Sequence, residues 1–278
     1  MSSSKVMIEV EGLGKRYWVG GNQLIDNMGM HALLERLFRA PVHFIASRFL
    51  KKKPASHYPI GKGHTRWAIR DVSFTVNQGE VLGIVGHNGA GKSVLLKLLS
   101  RITRPTEGFA RLHGQVSSML EAGTSFHGEL TGRENIRLSG AVLGMRRSEI
   151  EARMDDIISF SEVEEYIDTP VKRYSTGMVL RLGFSVAAHL DTDIMLIDEV
   201  LAVGDQRFKR RCVEKMRNVA RSGKTVLFVS HDLQVLQQIS DRAILIRNGR
   251  IEMDGAPDQV IAEHLASTNS RVTGAPES

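Results

Sequence analysis

Gly86-His87-Asn88-Gly89-Ala90-Gly91-Lys92-Ser93 is the stretch on which the reading of this chain turns. It satisfies G-x-x-x-x-G-K-[ST], and its flanks make the match informative. The apolar run VLGIVG at 81–86 leads into it, and Leu95, Leu98, Leu99 and Ile102 follow at the spacing of one helix face. A buried strand that turns through glycines into a helix points loop N–H groups and the helix N-terminus at one spot, which suits an anion. The backbone from Gly86 to Gly91 would wrap a phosphate, Lys92 would face the β and γ phosphates of a nucleotide, and Ser93 would ligate Mg²⁺.

Working outward, three more short runs rich in Val, Ile and Leu read as buried strands: IMLI at 194–197, TVLFVS at 225–230 and AILI at 243–246. Val179, Leu182, Val186 and Leu190 mark a helix before the first of them. Strands alternating with amphipathic helices predict an α/β fold with a mainly parallel core sheet. The stretch from Thr131 to about Leu190 shows no strand pattern and reads as a helical insertion, while the polar end STNSRVTGAPES reads as a disordered tail. The run at 194–197 ends in Asp198 and Glu199, at the strand edge where open α/β sheets bind ligands. Asp198 is the candidate Mg²⁺ ligand, Glu199 the candidate base for an attacking water, and His231, delivered by the run at 225–230, the candidate γ-phosphate sensor.

Composition narrows the class. With 278 residues, 42% hydrophobic and 24% charged, the chain is long enough for a large α/β domain and lies in the soluble range. No apolar run approaches the roughly 18 residues of a membrane-spanning helix, and MSSSKVMIEVEG has no signal-peptide core. The single cysteine, Cys212, excludes an intramolecular disulfide and multi-cysteine metal sites, fits a reducing compartment and reads as packing. The net charge of +6 falls mainly between Met28 and Lys53, where Arg36, Arg39, Arg48, Lys51, Lys52 and Lys53 face the single acid Glu35; the remainder is close to neutral in sum. In the same stretch Met30, Leu33, Leu34, Leu37 and Phe38 form one apolar helical stripe, and Val42, Ile45, Ala46 and Phe49 repeat it after Pro41. Such a basic amphipathic insertion suits a lipid interface, a groove on a membrane protein, or packing on its own domain.

Kinases, GTPases and many ATPases share a phosphate loop. Tyr174-Ser175-Thr176-Gly177-Met178, opening the helix that runs to Leu190, separates them, because it resembles the ABC ATPase signature usually written LSGGQ. Ser175 and Gly177 match; Thr176 stands where a glycine is usual and Met178 where a glutamine is usual. The resemblance spans roughly Lys5 to Ser267. GHNGAGKS, RITRPTEG at 101–108, LEAGTSFHGELTGREN at 120–135, RYSTGM and DEVLAVGDQRFKRRC at 198–212 look like the nucleotide-binding subunits of bacterial polysaccharide exporters, which move lipid-linked O-antigen, capsular polysaccharide or teichoic acid.

That resemblance implies a P-loop ABC-type fold over residues 1–268, with antiparallel strands near the N-terminus, a helical subdomain at about 122–190, the insertion at about 28–53 and a tail at 269–278. It implies ATP and Mg²⁺ as ligands, and hydrolysis at a head-to-tail homodimer in which Ser175 and Gly177 face the partner's γ-phosphate and Asp205 lies at the seam. Tyr17 is implied as the aromatic that stacks on adenine, with Trp18 and Trp67 as alternatives. Glu121 stands near where relatives carry a glutamine, and Val94 replaces a common threonine, removing a hydroxyl near the α-phosphate at a cost of about 0.5 to 1.5 kcal/mol. The implied partners are two copies of a transmembrane permease, with lipid-linked glycan reached through it, at the cytoplasmic face of the bacterial inner membrane. The alternative is a soluble ABC ATPase acting on nucleic acid or ribosomes. Those carry two nucleotide domains or a long inserted coiled coil, neither of which is visible here, so no nucleic acid partner is expected. Some exporter ATPases continue into a glycan-binding β-sandwich, and no such domain is expected within these 278 residues.

Overall fold

The computed structural model describes residues 5–19, 64–119, 126–198 and 206–273. Met1–Lys15 with Ala68–Ser278 forms the larger of two compact units and Arg16–Trp67 the smaller. In the described part of the smaller unit, the Arg16 guanidinium lies 5.2 Å from the centre of the Trp67 ring. The basic insertion at 28–53, Glu121, Glu199, Asp205 and residues 274–278 lie outside the described residues.

The strands are β1 (Val6–Val19), β2 (His64–Asn77), β3 (Val81–Val85), β4 (Glu107–Leu112), β5 (Val116–Ser118), β6 (Ile194–Ile197), β7 (Thr225–Val229), β8 (Arg242–Arg247) and β9 (Arg250–Gly255). Interleaved with them are the helices α1 (Lys92–Leu99), α2 (Gly132–Val142), α3 (Arg147–Ser161), α4 (Thr176–Ala188), α5 (Gln206–Arg221), α6 (Leu233–Ile239) and α7 (Pro257–Thr273). They build a six-stranded sheet in the order β5-β6-β7-β3-β8-β9 and a three-stranded sheet in the order β2-β1-β4. β3, β5, β6, β7 and β8 run parallel, β9 pairs antiparallel with β8, and β4 pairs antiparallel with β1.

The central strands are apolar at every position because both of their faces are covered. Alternate side chains go to different cores: Val81, Val85, Val226 and Phe228 pack with residues of α4, α5, α6 and α7, whereas Leu82, Ile84, Leu227 and Val229 pack with α1 and the three-stranded sheet. Cys212 belongs to the first core, and burial pushes its thiol up to about 12, as expected of a packing cysteine. Leu95, Leu98 and Leu99 are buried on α1, but Ile102 lies beyond the helix and is 49% exposed, so the expected stripe stops one turn early.

The insertion after Thr131 is helical, as expected. α2, α3 and α4 close around Ile136, Ile150, Met154, Ile157, Ile158, Leu182 and Val186. Its entry is fixed by a capping box: the Thr131 hydroxyl accepts from Glu134 N–H while the Glu134 carboxylate accepts from Thr131 N–H at 2.8 Å. Buried Asn135 braces the loop before it, donating to the carbonyls of His127, Leu130 and Thr131 and accepting from His127 N–H at 2.7 Å.

Two expectations need correcting. The polar end is not a tail from residue 269, because α7 continues to Thr273. No glycine or proline interrupts it before Gly274, and the hydroxyls of Ser267 and Thr268 are absorbed by the His264 carbonyl inside the helix. The basic charge is also not confined to 28–53: α5 carries seven basic residues against Glu214 alone. Acids elsewhere offset it, which is why a count over the rest of the chain comes out close to neutral.

Candidate functional site

Because β3, β6 and β7 are parallel neighbours, their C-terminal ends open on one edge, and each end carries a residue singled out from the sequence. β3 runs into the loop of Gly86–Gly91 and then α1. β6 delivers Asp198 directly after Ile197, and β7 delivers His231 two residues after Val229. Asn88, Gly89, Gly91, Lys92, Ser93, Val94 and His231 line one cleft of about 190 Å³, together with Ala68 and Val229.

The loop holds its shape through contacts that only glycine permits. Gly91 sits at φ 111°, and a Cβ there would come 2.5 Å from Ile69 Cγ2 and 2.6 Å from the Ala68 carbonyl oxygen. At Gly86 a Cβ would press on the Ile246 carbonyl oxygen. The turn between β8 and β9 braces the outside, with Gly249 N–H donating to Ala90 O at 3.0 Å and Arg70 N–H to Gly249 O at 2.8 Å. Lys92 is 6% exposed, and its ammonium donates to Gly86 O at 2.5 Å and His87 O at 3.0 Å. A buried cation held on loop carbonyls is positioned where a polyphosphate would need its charge.

Ser175 caps α4, its hydroxyl accepting from Met178 N–H at 3.2 Å. A Cβ on Gly177 would meet only the Ser175 hydroxyl, at 3.8 Å, so the backbone in this first turn is open to approach. Neither residue lines the cleft around Lys92. Tyr17 and Trp18, in the smaller unit, are 41% and 51% exposed.

Three contributors escape the sequence reading. Ala68 and Val229 reach the cleft from strands whose own pattern signals only burial. His264, on α7, packs its ring 4.8 Å from that of His87 in the phosphate loop. Burial, and then the nearby His87, Lys92, Arg247 and His231, hold the His264 pKa below its ordinary value. A histidine in a C-terminal amphipathic helix carries no sequence signal for such a contact.

The ABC transporter family profile matches residues 69–202. The O-antigen export system ATP-binding protein RfbB of Klebsiella pneumoniae is 47% identical over 208 residues, covering 75% of this chain and 85% of that protein. The chain belongs to the ATP-binding subunits of ABC transporters. RfbB of Myxococcus xanthus and the teichoic acids export ATP-binding protein TagH of Enterococcus faecalis are 46% and 45% identical to this ABC ATPase, which covers 45% of each. The fold agrees: the dimeric cassette MJ0796 bound to ADP and Pi superposes with a TM-score of 0.66 at 18% identity, covering 90% of this chain and 99% of that one. An ATP-binding subunit of an ABC transporter superposes at 0.69 with 20% identity, covering 96% and 99%. Among the described residues of the ATPase, no helix is long and apolar enough to cross a membrane.

Mg²⁺ fits this site by donor chemistry. A hydroxyl on Ser93 and a carboxylate on Asp198 are hard oxygen donors carried at the same edge of the sheet, although β7 separates their strands and Asp198 is not among the residues lining the cleft; Mg²⁺ takes its remaining ligands from water and phosphate.

Proposed function

We propose that this chain is the ATP-hydrolysing subunit of an ABC transporter that exports a lipid-linked polysaccharide across the bacterial inner membrane. The observation that carries the reading is the convergence of Lys92, Ser93, Asp198 and His231 on one sheet edge in a chain 47% identical to an O-antigen export ATPase. The permease and the glycan come from what those relatives are named for, and the dimer from the cassettes of the same fold. A chain without an apolar spanning helix among its described residues would act at the cytoplasmic face through a membrane partner.

In this mechanism the Gly86–Gly91 backbone and the N-terminus of α1 hold the α and β phosphates of ATP, and Lys92 draws charge from the β and γ phosphates. Ser93 and Asp198 would hold Mg²⁺, which supplies neutralisation of the triphosphate. Glu199 accepts a proton from the attacking water, and His231 hydrogen-bonds the γ-phosphate as charge builds on it. Ser175 and the N–H groups of the first turn of α4 face the γ-phosphate held by a second copy, so binding closes a head-to-tail pair and hydrolysis reopens it. On the same reading Asp205 would belong to that seam, Glu121 would take the place of the glutamine usual in relatives, and Tyr17 would stack on adenine. The insertion at 28–53 would meet the permease at the membrane face.

The chemical step is tested with Glu199→Gln, which should retain MgATP, favour the closed dimer and lose about 10² to 10⁴ in rate. Wild-type turnover in that variant would contradict the assignment. Export is tested by deleting the coding sequence: lipid-linked glycan should accumulate on the cytoplasmic side, and unchanged surface glycan would contradict the transport reading.

A further inference from the structure

Helix α7 reaches the phosphate loop through one side chain. Val260 and Ile261 are buried in the same core as Ala243 and Leu245 of β8, and His264, four and three residues further on, shares their helix face. Its ring stands 4.8 Å from that of His87, at an interplanar angle of 48°. The helix is held at two further points. Asp258 accepts from the Gln237 amide of α6 at 2.7 Å, and Glu263 lies 3.9 Å from the Arg247 guanidinium at the end of β8.

His87 is where the internal bonds of the loop meet. Its carbonyl oxygen accepts from the Lys92 ammonium at 3.0 Å and from Ala90 N–H at 3.1 Å. Gly86, Gly89 and Gly91 all have positive φ, so the segment between them has little stiffness of its own. The turn at Gly249 braces it at Ala90, and the His264 ring braces it at His87. A ring packed on His87 limits where the His87 carbonyl can go, and with it the buried Lys92 ammonium.

The His264 ring acts here by shape. Its Nδ1 is buried with no hydrogen-bond partner among the described residues. Burial, then His87, Lys92, Arg247 and His231, disfavour its charged form. A neutral ring whose buried nitrogen makes no bond serves as an aromatic wedge, and phenylalanine has the shape to replace it. We propose that His264 is a positioning residue for the phosphate loop: by packing on His87 it keeps the loop backbone and the Lys92 ammonium set for a polyphosphate. This rests on the ATPase reading above and extends it to a residue that does not line the cleft. His264 acts through His87 and not on the nucleotide itself.

The test is calorimetric MgATP binding to the full chain, with His264→Ala, His264→Phe, His87→Ala, the double alanine variant and Ile261→Ala. His264→Ala should bind MgATP about tenfold more weakly and, in turnover, raise KM with kcat near the wild-type value, because saturating nucleotide itself holds the loop. His264→Phe should restore wild-type binding. The losses in His264→Ala and His87→Ala should be non-additive in the double variant, since both remove one contact. Ile261→Ala removes core packing from the same helix without touching the loop, so it should lower the melting temperature more than His264→Ala yet leave MgATP binding unchanged. Wild-type binding in His264→Ala, equal losses in His264→Phe and His264→Ala, strictly additive losses, a fall in kcat at unchanged KM, or an equal binding loss in Ile261→Ala would each overturn the positioning role alone. A wild-type chain that bound no MgATP would overturn the ATPase reading and this proposal with it.

Discussion

At Gly91 a single methyl group decides whether the phosphate loop can exist. The added Cβ of Gly91→Ala would meet the Ile69 side chain and the Ala68 carbonyl at about 2.5 Å, and φ 111° is strained for alanine whatever the space. Gly91→Ala should therefore abolish detectable MgATP binding by calorimetry, with the rest of the fold retained in circular dichroism. Gly89, at φ 78° with no protein atom within 4 Å of its Cβ position, is the internal control for folding alone: Gly89→Asn should melt close to the wild type, since asparagine tolerates this backbone region. At this scale much of the site was legible. Lys92, Ser93 and His231 line one cleft because the pattern fixing their type also fixes the strand ends that carry them. Ala68, Val229 and His264 were not legible, since each arrives from a distant element whose own pattern records only packing.

On the proposed reading, helix α4 would serve stability and function with the same atoms. Ser175 satisfies Met178 N–H, and its loss in Ser175→Ala should cost about 1 kcal/mol, measured as a lowered denaturant midpoint. Aspartate caps as well as serine, so Ser175→Asp should restore that stability. It would also place an anion where the proposed composite site brings a partner's γ-phosphate, and ATP-driven dimerisation and turnover should fall further than in Ser175→Ala. Equal activity in the two variants would remove Ser175 from the phosphate contact. The elements legible beforehand were β3, β6, β7 and β8, whose unbroken apolar runs follow from cover on both faces. In the three-stranded sheet, β1 pairs antiparallel with β4 across residues about a hundred positions apart, such as Ile8 with Leu112, and no local pattern announces that. The end of α7 was misread because polar composition was taken for disorder, although nothing before Gly274 breaks a helix.

At the scale of the whole molecule, pH acts through buried histidine. His189 is 6% exposed at the end of α4, with a ring nitrogen 2.7 Å from Ser185 O and its ring 5.7 Å from that of Phe160. Burial lowers its pKa from the ordinary 6.5, with Lys215 and Arg153 acting in the same direction and Asp156 and the Ser185 carbonyl opposing them. Between the lowered folded value and 6.5 the unfolded chain binds more protons, so stability rises with pH there. The contribution is complete above about pH 7 and is lost as pH falls below 6.5 toward the folded value. The melting temperature should decline over that window, and His189→Gln should flatten the decline. An identical slope in the variant would assign the effect to other groups.

The central claim is that two chains make one catalytic site. Lys92→Ala removes the phosphate-loop charge and Ser175→Asp spoils the face presented to a partner, so either variant alone should be inactive. In a mixed dimer both lesions fall in one site and the other is whole. Mixing equal amounts of the two inactive chains and measuring phosphate release should recover about a quarter of wild-type activity, since random exchange puts half of the dimers in mixed form with one of two sites intact. Recovery of that size is the result the composite site predicts; no recovery on mixing, or full turnover by a chain held monomeric, would contradict it.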